Sequence, residues 1–176
     1  ALTPHQLSEL LGEFREILAD TIQKHDGVVD KFIGDAVLAV FGFPDTGRMA
    51  ANRSLECANE IFGKLEEWTE ERQAKGLAAV SIGIGMHFGE AFVGVVGNES
   101  LLEFTVIGDT VNIAERLERL TRQFDAEIVV SGAFAEATGL DLPASGWRLE
   151  QKSPLAGHSR PIDILYLPRK QPIYPV

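Results

Sequence analysis

The run Val28-Val29-Asp30-Lys31-Phe32-Ile33 meets Ala36-Val37-Leu38-Ala39-Val40 across Gly34-Asp35, and no other stretch restricts the folding of this chain so much. Two strand-like segments joined by two turn-forming residues pair as an antiparallel hairpin whose register the turn sets. Strict alternation in the first arm would place Val29, Lys31 and Ile33 on one face, with Asp30 and Phe32 on the other. A lysine on an otherwise apolar face and an aspartate at the tip exceed what a turn needs. Each also has an ordinary explanation. Gly-Asp is common turn chemistry, and a lysine stem can lie along a core with its ammonium in water.

Long amphipathic segments flank the hairpin. Thr3-Pro4-His5-Gln6 reads as a helix start, with Thr3 as N-cap, Pro4 at the first helical position and Gln6 closing a capping box. Leu7, Leu10, Leu11, Phe14, Ile17, Leu18 and Ile22 then recur at three- and four-residue steps, and Gly27 is the expected stop. A second helix is predicted over about residues 48–75, with a stripe of Ala51, Leu55, Ala58, Phe62, Leu65 and Trp68. Strands are predicted at 80–88, 90–96 and 104–107, with a turn at Gly97-Asn98. Gly83 and Gly85 open no helix, so they imply close approach of a backbone or ligand rather than a dinucleotide fingerprint. A helix capped by Asp109 or Thr110 should last to about Phe124. Strands at 127–130, around Trp147 and Leu149, and at 162–167 follow, with a short helix at 132–138.

Helix, hairpin, helix, hairpin is a β-α-β-β-α-β ferredoxin-like unit without its leading strand. That strand lies mid-sheet in the topology, so residues before Ala1 are expected to belong to the intact domain. The expected fold class is α/β (α+β). Residues 1–167 would form the domain with a C-terminal extension, and 168–176 a proline-rich tail.

At 176 residues and 45% hydrophobic, the chain can bury a full core. Its formal charge of −10 excludes a basic stripe for nucleic acid but leaves room for a nucleotide met by a few converging cations. The single Cys57 permits no internal disulfide and favours a reducing compartment. The apolar region 80–96 is interrupted by Ser81, His87, Glu90 and glycines and is no membrane span. The chain opens without Met, on an amphipathic helix. It therefore reads as a fragment or one domain of a longer protein; the expected location is the cytoplasm, alone or as the cytosolic domain of a larger or membrane-attached protein.

A second informative stretch runs through Glu103-Phe104-Thr105-Val106-Ile107-Gly108-Asp109-Thr110-Val111-Asn112-Ile113-Ala114-Glu115-Arg116-Leu117-Glu118. On a helical wheel Ile113, Leu117, Leu120 and Phe124 form the buried stripe, with Asn112, Arg116, Arg119 and Gln123 beside it. An Asn and an Arg one turn apart near a helix N-terminus suit an anion. A solvated face is the plainer reading for Arg119 and Arg122, and Glu118 with Arg122 is i,i+4 support.

These two segments, in this order, resemble the catalytic domain of class III adenylate/guanylate cyclases. The likeness extends to Gly83-Ile84-Gly85-Met86-His87-Phe88-Gly89-Glu90 and to the closing segment from Gly157 to Leu165, and so covers nearly the whole chain. The resemblance implies a cyclase fold and conversion of ATP to 3′,5′-cyclic AMP and pyrophosphate, with two Mg²⁺ or Mn²⁺ ions per site. Asp35 matches the second of the family's two metal aspartates; the first lies on the leading strand. Lys31 and Thr105 match the pair that reads the base. Lys31 donating to adenine N1 points to ATP, because guanylate cyclases carry an acidic residue there. Asn112 matches the residue that orients the ribose, and Arg116 the one that stabilises charge on the α-phosphate. The family's phosphate-gripping Lys-Gly is Ala156-Gly157 here, with Lys152 the candidate substitute and His158 a further positive charge when protonated. The resemblance also implies a head-to-tail homodimer with shared sites, and an upstream sensor or regulatory domain. Two alternatives stay open: a catalytically silent cyclase-like nucleotide-binding or dimerisation module, and a guanylate cyclase.

Overall fold

The computed structural model describes residues 2–43, 46–98, 101–140, 146–155, 158 and 160–170. The chain divides into two compact units, Ala1–Val80 and Ser81–Pro175.

The first unit opens with α1 (Pro4–Lys24), started by the expected capping box. The Gln6 N–H donates to the Thr3 hydroxyl, and the Thr3 N–H donates to the Gln6 side chain at 2.9 Å. Phe14, Leu18, Thr21 and Ile22 are its buried residues. The stop comes before Gly27. Asp26 takes the left-handed turn at φ 57°, and the Gly27 N–H returns to the Ile22 carbonyl at 2.8 Å. Gly27 is required for space instead, since a Cβ there would meet the Phe41 ring at 2.6 Å.

Strands β1 (Val28–Ile33) and β2 (Ala36–Val40) form the hairpin. Its register runs Val29↔Ala39 and then Lys31↔Leu38, which leaves Asp30 as an extra residue, a β-bulge. Opposed residues share a face, so the bulge splits the expected set. Val29 and Phe32 lie on one face, while Lys31 and Ile33 lie on the other. At the tip Gly34 has φ 65° and Asp35 does not share that sign, the pattern of a type II′ turn.

Helix α2 (Arg48–Ala74) packs on α1. Its buried stripe is Ala51, Ser54, Cys57, Ala58, Ile61 and Leu65, rotated from the expected one. Leu55, Phe62 and Trp68 are only half-buried. Small side chains face inward here, and Trp68 serves the margin, stacking on Phe14 and donating to Glu13 at 2.9 Å. Burial pushes the Cys57 thiol up to about 11, with Glu60 adding to the effect, so this cysteine is an inert core residue. Hydrogen bonds from Lys24, His25 and Lys64 hold the Glu60 carboxyl down at about 2.

The second unit runs through β3 (Ile84–Met86), β4 (Phe92–Asn98), β5 (Leu101–Ile107), α3 (Asp109–Gln123), β6 (Ala126–Ser131), α4 (Gly132–Thr138), β7 (Arg148–Ser153) and β8 (Ile162–Pro168). The sheet order is β3-β6-β8-β7, with β3 parallel to β6 and the other pairs antiparallel. Only three residues of the expected 80–88 strand join this sheet. The β4–β5 hairpin is separate, and it runs through Gly97 and Asn98 rather than turning there.

Helix α3 packs on β3 and β6. Ile113 and Leu117 enter a core with Ala126, Val129, Leu155 and Ile164, and Leu120 and Phe124 pack around it, as the wheel predicted. Thr121 is buried as well. Its cap differs from expectation: Gly108 is the N-cap, and the Thr110 hydroxyl donates to the Glu90 carbonyl. Ser131 caps α4. Among the described residues no helix is long and apolar enough to cross a membrane. The end of the predicted tail, residues 171–176, lies outside the described residues.

Candidate active site

The sequence-predicted site residues fall into both units. Lys31 and Asp35 belong to the first, and Thr105, Asn112, Arg116 and Lys152 to the second.

In the first unit the bulge puts Lys31 beside Asp30. The Lys31 ammonium lies 3.7 Å from the Asp30 carboxylate, which is 2% exposed. A buried carboxylate beside the half-buried ammonium gives the lysine a fixed neighbour on this strand. Asp35 has an exposed carboxylate at the hairpin tip. As a hard oxygen donor with no cation paired to it among the described residues, Asp35 fits one ligand position of Mg²⁺ or Mn²⁺. No group of three or more His, Cys, Asp or Glu suited to a metal is formed among the described residues.

In the second unit Thr105 is buried in β5 opposite Gly94, where the ring of Phe92 folds over the glycine. Asn112 is exposed on the first turn of α3, and Arg116 lies one turn further on, half-buried. The Arg116 Nη1 is buried and finds no hydrogen-bond partner among the described residues. Arg116 also lines a cleft of about 380 Å³, together with Glu115, Arg119, Leu120, Pro154 and Leu155. A buried guanidinium nitrogen without a partner favours an anionic ligand, because leaving it unmade costs more than a surface contact would. Arg119 is bound to Glu115 at 2.6 Å and Arg122 to Glu118 at 3.2 Å, both largely in solvent, as the plainer reading held. Lys152 is exposed at φ 52° on β7, its N–H bound to Asp163 at 2.8 Å, and it does not line the cleft. Ala156 and Gly157 lie outside the described residues.

Two features escaped the sequence. The first is a pairing: His87, without an expected role, and His158, expected only as a further positive charge, both come to the start of α3. His158 Nε2 lies 3.5 Å from the Asp109 carboxylate, and its Nδ1 is 2.6 Å from the Arg160 carbonyl. His87 Nδ1 lies 2.7 Å from the Ser131 hydroxyl. Burial pushes the His87 imidazole below its ordinary value; Asp109 opposes the shift and His158 adds to it. The second feature is Arg15, which reaches the Gly34 carbonyl beside Asp35. Its signal was a charged residue on the apolar stripe of α1, four residues after Leu11 and three before Leu18.

A family model for the adenylate and guanylate cyclase catalytic domain matches residues 1–146. Adenylate cyclase 1 of Rhizobium meliloti is 32% identical over 131 residues, covering 74% of this chain and 20% of that protein. The adenylate cyclase of Anabaena cylindrica is 33% identical over 135 residues, 74% of this chain and 26% of its own length. The chain thus spans about a fifth to a quarter of these relatives. Among solved structures, the adenylyl cyclase CyaB from P. aeruginosa superimposes with a TM-score of 0.83 at 25% identity, over 97% of this chain and 86% of that one. The guanylyl cyclase Cya2 gives 0.79 at 30% identity, over 95% and 82%. The mixed α+β fold is that of these cyclase domains.

Proposed function

The chain belongs to the adenylate and guanylate cyclase catalytic domain family, and from that premise we propose that it converts ATP to 3′,5′-cyclic AMP and pyrophosphate at sites shared between two copies of itself. Arg116 carries the reading. It occupies the position matching the family's charge-stabilising arginine, lines a cleft, and has a buried nitrogen without a partner among the described residues.

In the reaction the ribose 3′-oxygen attacks the α-phosphorus. The O3′–P bond forms, the bond to the pyrophosphate oxygen breaks, and the hydroxyl proton passes to water. Arg116 donates to the α-phosphate oxygens as charge builds on them, the electrostatic contribution that dominates such steps. Asn112, one turn before it, holds the ribose so that the attack is in line. Lys31 donates to adenine N1, and the Thr105 hydroxyl accepts from the adenine amino group. Asp35 supplies one carboxylate toward two divalent ions, Mg²⁺ or Mn²⁺, whose charge offsets that on the attacking and leaving oxygens when bound. Lys152 is assigned to the terminal phosphates, in place of the lysine that Ala156 replaces.

The β4–β5 hairpin supports the dimer. Phe92, Val95, Leu102 and Phe104 are all more than half exposed and fall on both of its faces, a surface suited to a second copy. Residues 1–167 act as the catalytic domain of a longer, regulated protein, and the small share of each relative that the chain spans supports a sensor elsewhere.

One specific observation favours a silent cyclase-like module: Ala156 stands where the family grips phosphate with lysine. Incubating the full-length protein with Mn²⁺ and either ATP or GTP, then separating the nucleotides, decides among the readings. Cyclic AMP with equimolar pyrophosphate is expected. ATP recovered intact from the bound fraction would make it a binding module, and cyclic GMP in excess would make it a guanylate cyclase.

A further inference from the structure

Arg15 is held in α1 by two contacts that converge on the hairpin. Its Nη2 donates to the Gly34 carbonyl at 2.7 Å, and its guanidinium carbon lies 5.0 Å from the centre of the Phe32 ring. Its Nε is buried and has no partner among the described residues, so the side chain is committed to this position at some cost. A cation on the apolar stripe of a helix needs a reason, and the turn supplies it. The Gly34 carbonyl belongs to the tip, beyond the last ladder pair Ile33↔Ala36.

The peptide unit from Gly34 to Asp35 is planar, so its carbonyl oxygen, the Asp35 nitrogen and the Asp35 Cα move together. A donor that pins the Gly34 oxygen therefore pins the point from which the Asp35 side chain departs. A two-stranded hairpin is marginal by itself, and its tip is where it frays first. Phe32 completes the brace, because its ring attracts and holds in place the guanidinium that makes the hydrogen bond.

We infer that Arg15 is a positioning residue: it orients the Asp35 carboxylate toward the divalent metal from behind the turn, without touching metal or nucleotide. The inference rests on the reading of Asp35 as a metal ligand. Partners that orient a ligand from behind typically contribute 10–100-fold to metal affinity.

The test uses the full-length protein with a non-hydrolysable ATP analogue. Mn²⁺ binding is read from the free-ion paramagnetic resonance signal, and amide exchange is followed over residues 33–36. Arg15→Met should weaken Mn²⁺ binding about tenfold and speed exchange at the tip. Arg15→Lys, which keeps the charge but not the fork, should fall between it and wild type, and it serves alone if the Met variant does not fold. Weakened thermal stability with unaltered Mn²⁺ affinity in both variants would mean a merely structural arginine and overturn the inference. Asp35→Asn is the reference. If it retains full Mn²⁺ affinity, the metal reading of the hairpin falls and takes this inference with it. If it loses affinity while the Arg15 variants do not, only the inference falls.

Discussion

A Cβ on Gly85 of β3 would run into the Glu118 amide nitrogen of α3, and into the Ala114 carbonyl oxygen one turn before it, so only glycine fits there. At Gly83 the neighbour is a side chain, that of Thr121, whereas at Gly85 it is the helix backbone. This contact sets the distance of α3 from the sheet, and α3 carries both Asn112 and Arg116. Gly85→Ala should therefore destabilise the domain by about 3 kcal/mol, because backbone cannot move aside as a flexible side chain would. Urea unfolding measures it, and a loss below about 1 kcal/mol would show that α3 is free to shift.

Base choice is tested at Lys31 and Thr105. Lys31→Glu combined with Thr105→Cys inverts the polarity presented to the base, so preference should move from ATP toward GTP. The ATP rate should fall on the order of 10²-fold or more, since a site built for one hydrogen-bond pattern rejects its inverse. Unchanged ATP turnover in the double variant would remove both residues from the base site.

The shared site is tested by mixing inactive proteins. Asp35→Ala and Arg116→Ala should each be inactive as pure proteins. If the two side chains serve one nucleotide from different subunits, subunit exchange makes heterodimers with one doubly damaged site and one intact site. Equal mixing yields about half heterodimers, so about a quarter of wild-type activity should return. A mixture as inactive as its parents would place Asp35 and Arg116 of one chain on the same nucleotide.

His87 should give the fold an acid sensitivity. Its folded-state value is depressed, so the unfolded chain takes up the proton first. The stability this group contributes is complete above its ordinary value of about 6.5 and is lost as pH falls below it. Chemical denaturation from pH 8 to 5 should show a smaller decline in His87→Gln than in wild type, with the curves parallel above pH 7.5. The groups facing His87 are Asp109 and His158, so Asp109→Asn, which removes the opposing charge, should enlarge the decline. Identical slopes in wild type and His87→Gln would mean that the imidazole is not held neutral.

The sequence by itself determined what local periodicity controls. The capping box at Thr3 and Gln6, the two-residue turn that exposes Asp35, and the stripe of Ile113 and Leu117 that puts Arg116 beside the core all follow from intervals of two to four residues. Backbone dihedral preferences act over that range. Close approach at Gly83 and Gly85 was also legible, because a glycine pair in a strand has few other uses.

Tertiary structure decided what depends on pairing and on packing partners. The extra residue at Asp30 moved Lys31 to the face opposite Val29, and no count along one strand reveals which residue its partner leaves unpaired. Only Ile84–Met86 became β3, because a strand extends as far as its neighbour β6 accompanies it, whatever its own propensity. The stripe of α2 rotated toward Ser54 and Cys57 since α1, not the size of Phe62 or Trp68, selected the buried side. Arg15 at Gly34 and His158 at Asp109 are meetings of residues remote in the chain. Such contacts exist only once the folded backbone has brought the two ends together, and no local preference encodes them.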